Sequence, residues 1–345
     1  MIKRTIITLF CLGWLTSCGA PSYEAHNSSL SLPTHYALLL PLTGQWKTEG
    51  QTVRDGFLHA YYESPTRDQQ TISFYDTAQK TTIEATYQKA VSDGADFIIG
   101  PLVKEDVQAL LKQDHFPVPV LALNYTVLLW GHLPNDFYEF GLSPADEGQQ
   151  IADKAWQAGA RRALVIGPKD EWGQRIEAPL LKQWQRLGGS LVDSFYYAPD
   201  SDFQTDIAHL LEVNTHSKHS RQDFDAIFLL AQPTAGHAIV PLLRYNYVIN
   251  VPIYASSAIY AGTPNAAENN DLNGVQFCDI PWNLKPHATN DRLYAVGLDA
   301  YFLSNQLYHM GAAPLEGNTG MLTLTPEHHI YRQLPWATIQ NGLAS

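Results

Sequence analysis

The chain is poor in the residues that usually mark an enzyme or a nucleic-acid binder. Cysteine occurs three times in 345 residues, and two of the three, Cys11 and Cys18, fall near the N-terminus. Cys278 is then left alone, which excludes an internal disulfide and a cysteine-based zinc site. In the run Val275-Gln276-Phe277-Cys278 it reads as a small buried residue. Charged residues make up only 16%, and cations are the scarcer sign, with 22 Lys+Arg against 34 Asp+Glu and a net charge of -12. Without clustered cations to displace phosphate counterions, duplex nucleic acid is excluded as a partner class. An anionic membrane surface offers little attraction either. The motifs G-x-S-x-G, H-E-x-x-H, the P-loop and G-x-G-x-x-G are all missing, and no serine has a lysine three residues later. What is present is 45% hydrophobic residues with 23 Gly and 21 Pro, which excludes disorder, collagen and coiled coil. Such a length suits two lobes of about 150 residues each.

Lys3 and Arg4 precede an apolar run from Thr5 to Leu15. Eleven helical residues cover only about 16 Å of a hydrocarbon core of about 30 Å, so the run reads as an export signal. It ends in Leu15-Thr16-Ser17-Cys18-Gly19, which resembles the lipobox of bacterial lipoproteins. There Cys18 takes a diacylglycerol and becomes the first residue of the mature chain. Such acylation anchors firmly without a spanning helix, at about 0.8 kcal/mol per buried methylene. The polar stretch Gly19 to Pro33 reads as a flexible tether.

Strands and helices alternate from Tyr36 onward. The short apolar runs at Tyr36–Leu40, Thr71–Tyr75, Phe97–Ile99 and Val118–Leu123 read as buried parallel strands. Helical spacing separates them, with a capping-box pattern at Thr48 and Gln51. After Phe137–Leu142, Ser143-Pro144-Ala145-Asp146 has the form of an N-cap with proline at N1. A second set follows, with strands at Ala163–Ile166, Ser190–Tyr196, Ala226–Leu230 and Pro252–Ala255. Its helices are expected at about 145–158, 173–187, 202–212 and 234–246, with Pro179 kinking or shortening one of them. A last helix is expected from about Thr289 to His309, and a hairpin over Met321–Leu324 and Ile330–Leu334. The pattern predicts an α/β chain of two parallel-sheet lobes facing each other across a cleft, the architecture of a periplasmic binding protein.

Open α/β sheets bind ligands at the carboxyl ends of their strands, so those loops supply the candidate cleft residues: Thr43, Gly44, Lys104, Asn124, Tyr125, Asp170 and Trp172. Helix capping and chain turning account for the same residues without a ligand. The carboxylates at Asp76, Asp170-Glu171 and Asp202 fit favourable positions at strand ends and helix starts. His216 with His219, and His328 with His329 at the hairpin tip, are expected to be solvated loop residues rather than metal ligands. No catalytic residue, cofactor or metal is expected.

Ala37-Leu38-Leu39-Leu40-Pro41-Leu42-Thr43-Gly44, Asp55-Gly56-Phe57, Ile99-Gly100-Pro101-Leu102 and Phe140-Gly141-Leu142-Ser143-Pro144 resemble the LppC/LpoA lipoprotein family. The likeness continues through Asp279-Ile280-Pro281-Trp282, Leu298-Asp299-Ala300 and Gly317-Asn318-Thr319-Gly320, and covers essentially all of 34–340. The earlier segments are shared by many type I binding proteins, whereas Asp279–Trp282 and Gly317–Gly320 are more telling. The resemblance implies a type I periplasmic-binding-protein fold with lobe crossings near 142, 257 and 315. The division expected is 1–17 signal, 18–33 tether, 34–142 plus 258–314 first lobe, and 143–257 plus 315–345 second lobe. It also implies an outer-membrane lipoprotein on the periplasmic face that contacts a class A penicillin-binding protein and raises its transpeptidase activity. Better-known members carry a helical-repeat domain before this one, and here about 15 tether residues precede the fold. Gly19 rather than Asp after the cysteine points to the outer membrane. Relatives that bind amino acids place Ser or Thr after the third strand's Gly-Pro, and Leu102-Val103-Lys104 stands here instead. That argues against the standard amino-acid pocket, although Lys104 could pair with an anion. A solute-binding lipoprotein that closes on a small ligand in the cleft is the alternative reading.

The N-terminal reading is tested by labelling cells with radioactive palmitate. The chain should take up label, and Cys18→Ser should abolish it.

Overall fold

In the computed structural model the described residues are 32–113, 115–126, 132–214, 216, 219–263, 265–285, 291–310 and 313–345, with the side chain of Tyr308 excepted. The signal segment, Cys18 and nearly all of the tether lie outside them, as do Thr215, Ser217, Lys218 and the expected start of the last helix at Thr289.

β1 (His35–Leu40) is buried at every position after His35, as a strand covered on both faces must be. It lies between β2 (Thr71–Asp76) and β3 (Phe97–Ile99), and β4 (Val120–Ala122) and β5 (Phe137–Glu139) complete a parallel sheet of order β2-β1-β3-β4-β5. The crossovers are α1 (Lys47–Glu63), α2 (Ile83–Ser92) and α3 (Lys104–Leu110). α1 starts one residue before Thr48, with Trp46 at its cap and no side-chain cap bond. The expected capping box is therefore not formed, and Thr52 Oγ1 donates to the Thr48 carbonyl instead.

The second lobe begins with α4 (Pro144–Gln157), capped by Ser143, whose hydroxyl accepts from Asp146 N. β6 (Arg162–Pro168), α5 (Glu171–Leu187), β7 (Ser190–Tyr197), α6 (Phe203–Leu210), β8 (Ala226–Leu229), α7 (Pro233–Tyr245) and β9 (Ile253–Ala255) follow. α5 continues through Pro179 as one helix of 17 residues, so the proline does not shorten it. Gly148 of α4 packs against this stretch, where an added Cβ would lie 2.4 Å from the Ile176 carbonyl oxygen. α8 (Ala266–Asn269), β10 (Val275–Cys278), α9 (Pro281–Leu284) and α10 (Arg292–Gln306) lead to β11 (Leu315–Glu316), β12 (Met321–Leu324), β13 (Ile330–Gln333), β14 (Trp336–Gln340) and β15 (Leu343–Ala344). The second sheet has the order β15-β14-β10-β9-β8-β6-β7, in which β14 runs antiparallel to both its neighbours and the other pairings are parallel, and β11-β12-β13 form a separate antiparallel sheet.

These pairings move the expected lobe boundaries. β10, assigned from sequence to the first lobe, pairs in parallel with β9, and its Val275 and Phe277 are fully buried in the second lobe's core. β12 and β13, assigned to the second lobe, place Leu322 and Ile330 in the first lobe's core. The second and third crossings therefore fall between β10 and α10 and between β13 and β14, not near 257 and 315. Period-2 hydrophobicity identifies a strand but is silent on which sheet receives it.

α10 returns to pack on α1 at very short range. A Cβ on Gly297 would stand 2.1 Å from the Val53 carbonyl oxygen, and one on Gly56 2.0 Å from that of Tyr294. Gly297→Ala must push the helices apart, so a loss of about 1–3 kcal/mol is expected, read as a lower urea midpoint.

Candidate functional site

The start of α4 separates two cavities between the lobes, and Leu142, Ser143 and Pro144 line both. The larger, about 640 Å³, is walled by Trp46 and Glu49 at the start of α1, Leu102–Glu105 at the start of α3, and Asn124–Thr126 after β4. Arg175 of α5 and Leu293 of α10 complete it. Most polar groups on this wall are held by the protein itself. Asn124 Nδ2 donates to the Leu102 carbonyl at 3.0 Å, and Asn124 Oδ1 accepts from Tyr125 N at 2.9 Å. The Tyr125 hydroxyl donates to the Ile330 carbonyl at 2.6 Å. Thr126 gives both its N–H and its hydroxyl to Glu139 Oε1, at 3.1 and 2.6 Å.

Of the seven candidates drawn from sequence, Lys104, Asn124 and Tyr125 meet on this wall, and Trp172 lines the smaller cavity of about 180 Å³. Thr43, Gly44 and Asp170 line neither. The Thr43 hydroxyl donates to Asp76 Oδ2 at 2.6 Å, while Leu42 N and Ala78 N donate to Asp76 Oδ1 at 2.8 and 3.1 Å. Burial opposes the Asp76 charge, yet these bonds hold its carboxyl below the ordinary value. Gly44 supplies the turn's positive φ of 73°. Asp170 caps α5 by accepting from Gly173 N at 2.8 Å, and Asp202 caps α6.

The smaller cavity exposes what sequence reading missed, a cluster of charges at the crossings. Arg292, at the start of α10, donates to both oxygens of the fully buried Asp279 at 3.0 and 2.7 Å, and to the Ser257 carbonyl at 3.0 Å. Burial works against the Arg292 charge, but Asp279 and Glu147 keep its pKa above the ordinary value. Glu147 of α4 accepts from the backbone N–H of Ser257, and burial pushes its carboxyl up. Cys278, beside this cluster, is fully buried, and burial drives its thiol pKa well up.

Asp299 of α10, also fully buried, is enclosed by the segment Gly317–Gly320. It accepts from Asn318 N and Nδ2 at 2.8 and 2.9 Å, and from Thr319 N and Oγ1 at 2.7 and 2.6 Å. Burial raises its pKa, and these four bonds oppose the rise. Trp282 N donates to the Asn318 carbonyl at 3.1 Å. Residues of the segments that looked most distinctive in sequence, 279–282 and 317–320, thus meet through hydrogen bonds. Gln150 of α4 fastens the third crossing, donating to the Arg332 carbonyl at 3.0 Å and accepting from Leu334 N at 2.7 Å. The signal that could have found these residues was a lone acid inside an apolar run, Gly297-Leu298-Asp299-Ala300.

His328 and His329 are not the solvated loop residues expected. His328 stacks on Tyr138 with ring centres 4.9 Å apart, and His329 Nδ1 lies 3.0 Å from Oε2 of the fully buried Glu139. Folding of the hairpin against β5 brings them there, which local sequence does not reveal. Among the described residues, no group of three or more His, Cys, Asp or Glu could hold a metal ion, and no helix is long and apolar enough to cross a membrane.

Two hinged α/β lobes around a lined cleft define a protein of the type I periplasmic-binding class. Residues 25–342 match the family model described as "LppC putative lipoprotein", and the chain belongs to that family. It is 31% identical over 341 residues to the penicillin-binding protein activator LpoA of Photobacterium profundum, covering 87% of this chain and 55% of that one. The chain spans about half the length of the curated relatives it matches. Among solved structures it resembles the LpoA C-domain of Haemophilus influenzae, a regulator of PBP1A, at 28% identity and TM-score 0.73, covering 90% of this chain and 99% of that domain. A leucine-binding protein of Thermotoga maritima, 18% identical with TM-score 0.56 over 90% of this chain and 97% of that one, shares the fold alone.

The Glu139–His329 contact carries a pH signature. Glu139 raises the His329 pKa above its ordinary 6.5, outweighing partial burial, and Glu327 and Asp146 add smaller contributions in the same direction. A raised cationic pKa adds stability that is complete below about pH 6.5 and lost as pH rises through the folded value. Urea titrations at pH 6 and pH 8.5 should therefore give the native chain a larger drop in stability than His329→Gln.

Proposed function

We propose that this chain is a lipid-anchored, non-enzymatic regulator of peptidoglycan synthesis, acting from the periplasmic face of the outer membrane on a class A penicillin-binding protein. The observation that carries this reading is the match along 99% of the regulator's C-domain, with the family membership beside it. The site supports recognition rather than reaction. Asp299 and Asp279 are already occupied by internal donors, so neither stands ready as a general base.

The mechanism is a shift of equilibrium. Surface contacts bind the catalytically competent conformation of the synthase more tightly than its idle one, and only that difference raises activity. A tenfold rise needs about 1.4 kcal/mol of differential binding, well within what a modest interface supplies. The crossing network serves this role by fixing the two lobes as one docking body. The anchor is the acylated Cys18, joined to the domain by the tether.

Adding the purified chain to a class A synthase turning over lipid-linked precursor should raise peptide cross-linking several-fold and yield a co-purifying complex. Deleting the gene should sensitise cells to cell-wall antibiotics. A synthase rate unchanged at saturating chain, with no complex recovered, would overturn the reading.

A further inference from the structure

The larger interlobe cavity contains chemistry that activation of a synthase does not use. At about 640 Å³ it falls within the range of drug-sized ligand pockets, about 300–1,000 Å³. Its walls come from both lobes, so an occupant would touch both. Asn124, Tyr125 and Thr126 are tied to neighbouring groups and stiffen the wall.

Two charged side chains are not tied in this way. Glu49 presents a carboxylate oxygen, Oε2, that is buried and has no hydrogen-bond partner among the described residues. A buried carboxylate oxygen left unpaired is costly, and the donor that best satisfies it is a cationic N–H. Across from the second lobe, Lys104 makes no ion pair among the described residues. Glu105 lines the same wall, and Lys104 adds to the larger effect of Arg175 in holding the exposed Glu171 carboxyl below its ordinary value. Arg175 already donates to Glu171 Oε1 at 2.6 Å, so Lys104 is the side chain here that favours an anionic group. The same cavity is lined by Trp46, which is 46% exposed, and by Leu102, Leu142 and Leu293.

We propose that this cavity binds a short zwitterionic peptide of two or three residues, its free amino end on Glu49 and its carboxylate toward Lys104. A single amino acid would leave much of this volume wet.

The test is calorimetric titration of the purified lipoprotein in detergent with trialanine, alanine, N-acetyl-trialanine and trialanine amide. Trialanine should bind, alanine at least tenfold more weakly, and each blocked peptide at least tenfold more weakly than trialanine. Glu49→Gln should weaken trialanine by a similar factor and abolish the penalty of N-acetylation, and Lys104→Ala should do the same for the amide. No heat with trialanine at millimolar concentration overturns the proposal, as does equal binding of the acetylated peptide to the native chain. Alanine binding as tightly as trialanine overturns the assignment of size. If Glu49→Gln fails to fold, the blocked peptides decide the question on the native chain. Because the titration contains no synthase, its outcome is separate from that of the activation assay.

Discussion

A carboxylate cannot be buried in protein without donors, and Asp299 meets that condition with four of them, all from Asn318 and Thr319. Leaving it unpaired would cost several kcal/mol. The segment 317–320 is thereby held against α10, and the rest of the crossing region is built outward from it. Trp282 N reaches the Asn318 carbonyl, and Arg332 Nη1 reaches that of Thr319 at 3.3 Å. Gly317 has no room for a side chain, since a Cβ would meet Asp299 Oδ2 at 2.8 Å. Three stretches far apart in the chain are thus tied to one buried charge.

The neighbouring Asp279–Arg292 pair does comparable work at the second crossing, joining the end of β10 in one lobe to the start of α10 on the other. Buried ion pairs are weak contributors to net stability, but removing one partner is strongly destabilising. Their effect here is to specify how the lobes connect. The cleft inherits its shape from this arrangement, because α4 carries Glu147 and Gln150 into the crossings and its own first turn into the cavity wall. A surface that must be presented reproducibly to a large partner benefits from such bracing, and so does a cavity whose walls belong to both lobes.

Much of the architecture was legible from local chemistry. Fully buried strands such as Leu38-Leu39-Leu40 and Leu164-Val165-Ile166 are unbroken apolar runs. The Ser143-Pro144 and Asp202 starts are side-chain caps whose logic spans three residues. The cavity wall was partly legible too, because Lys104, Asn124 and Tyr125 sit at strand ends where a parallel sheet opens. Other readings failed where the deciding partner was remote. His329 looks like a solvated turn residue until Glu139, 190 positions earlier in the chain, is brought beside it. Pro179 is expected to kink or shorten its helix, and α5 runs through it at full length, packed closely against Gly148 of α4.

By itself the amino-acid order determined the alternation of strands and helices, the two-lobed class, the unpaired state of Cys278 and the family resemblance, because periodicity, capping and motif chemistry act over a few residues. Tertiary structure alone decided that β10 joins the second sheet, that β12 and β13 cover the first lobe, and that Asp279, Arg292, Asp299 and Glu139 form its buried polar framework. A buried charge is stable only beside its partners, and the partners are supplied by segments that meet only once the chain has folded.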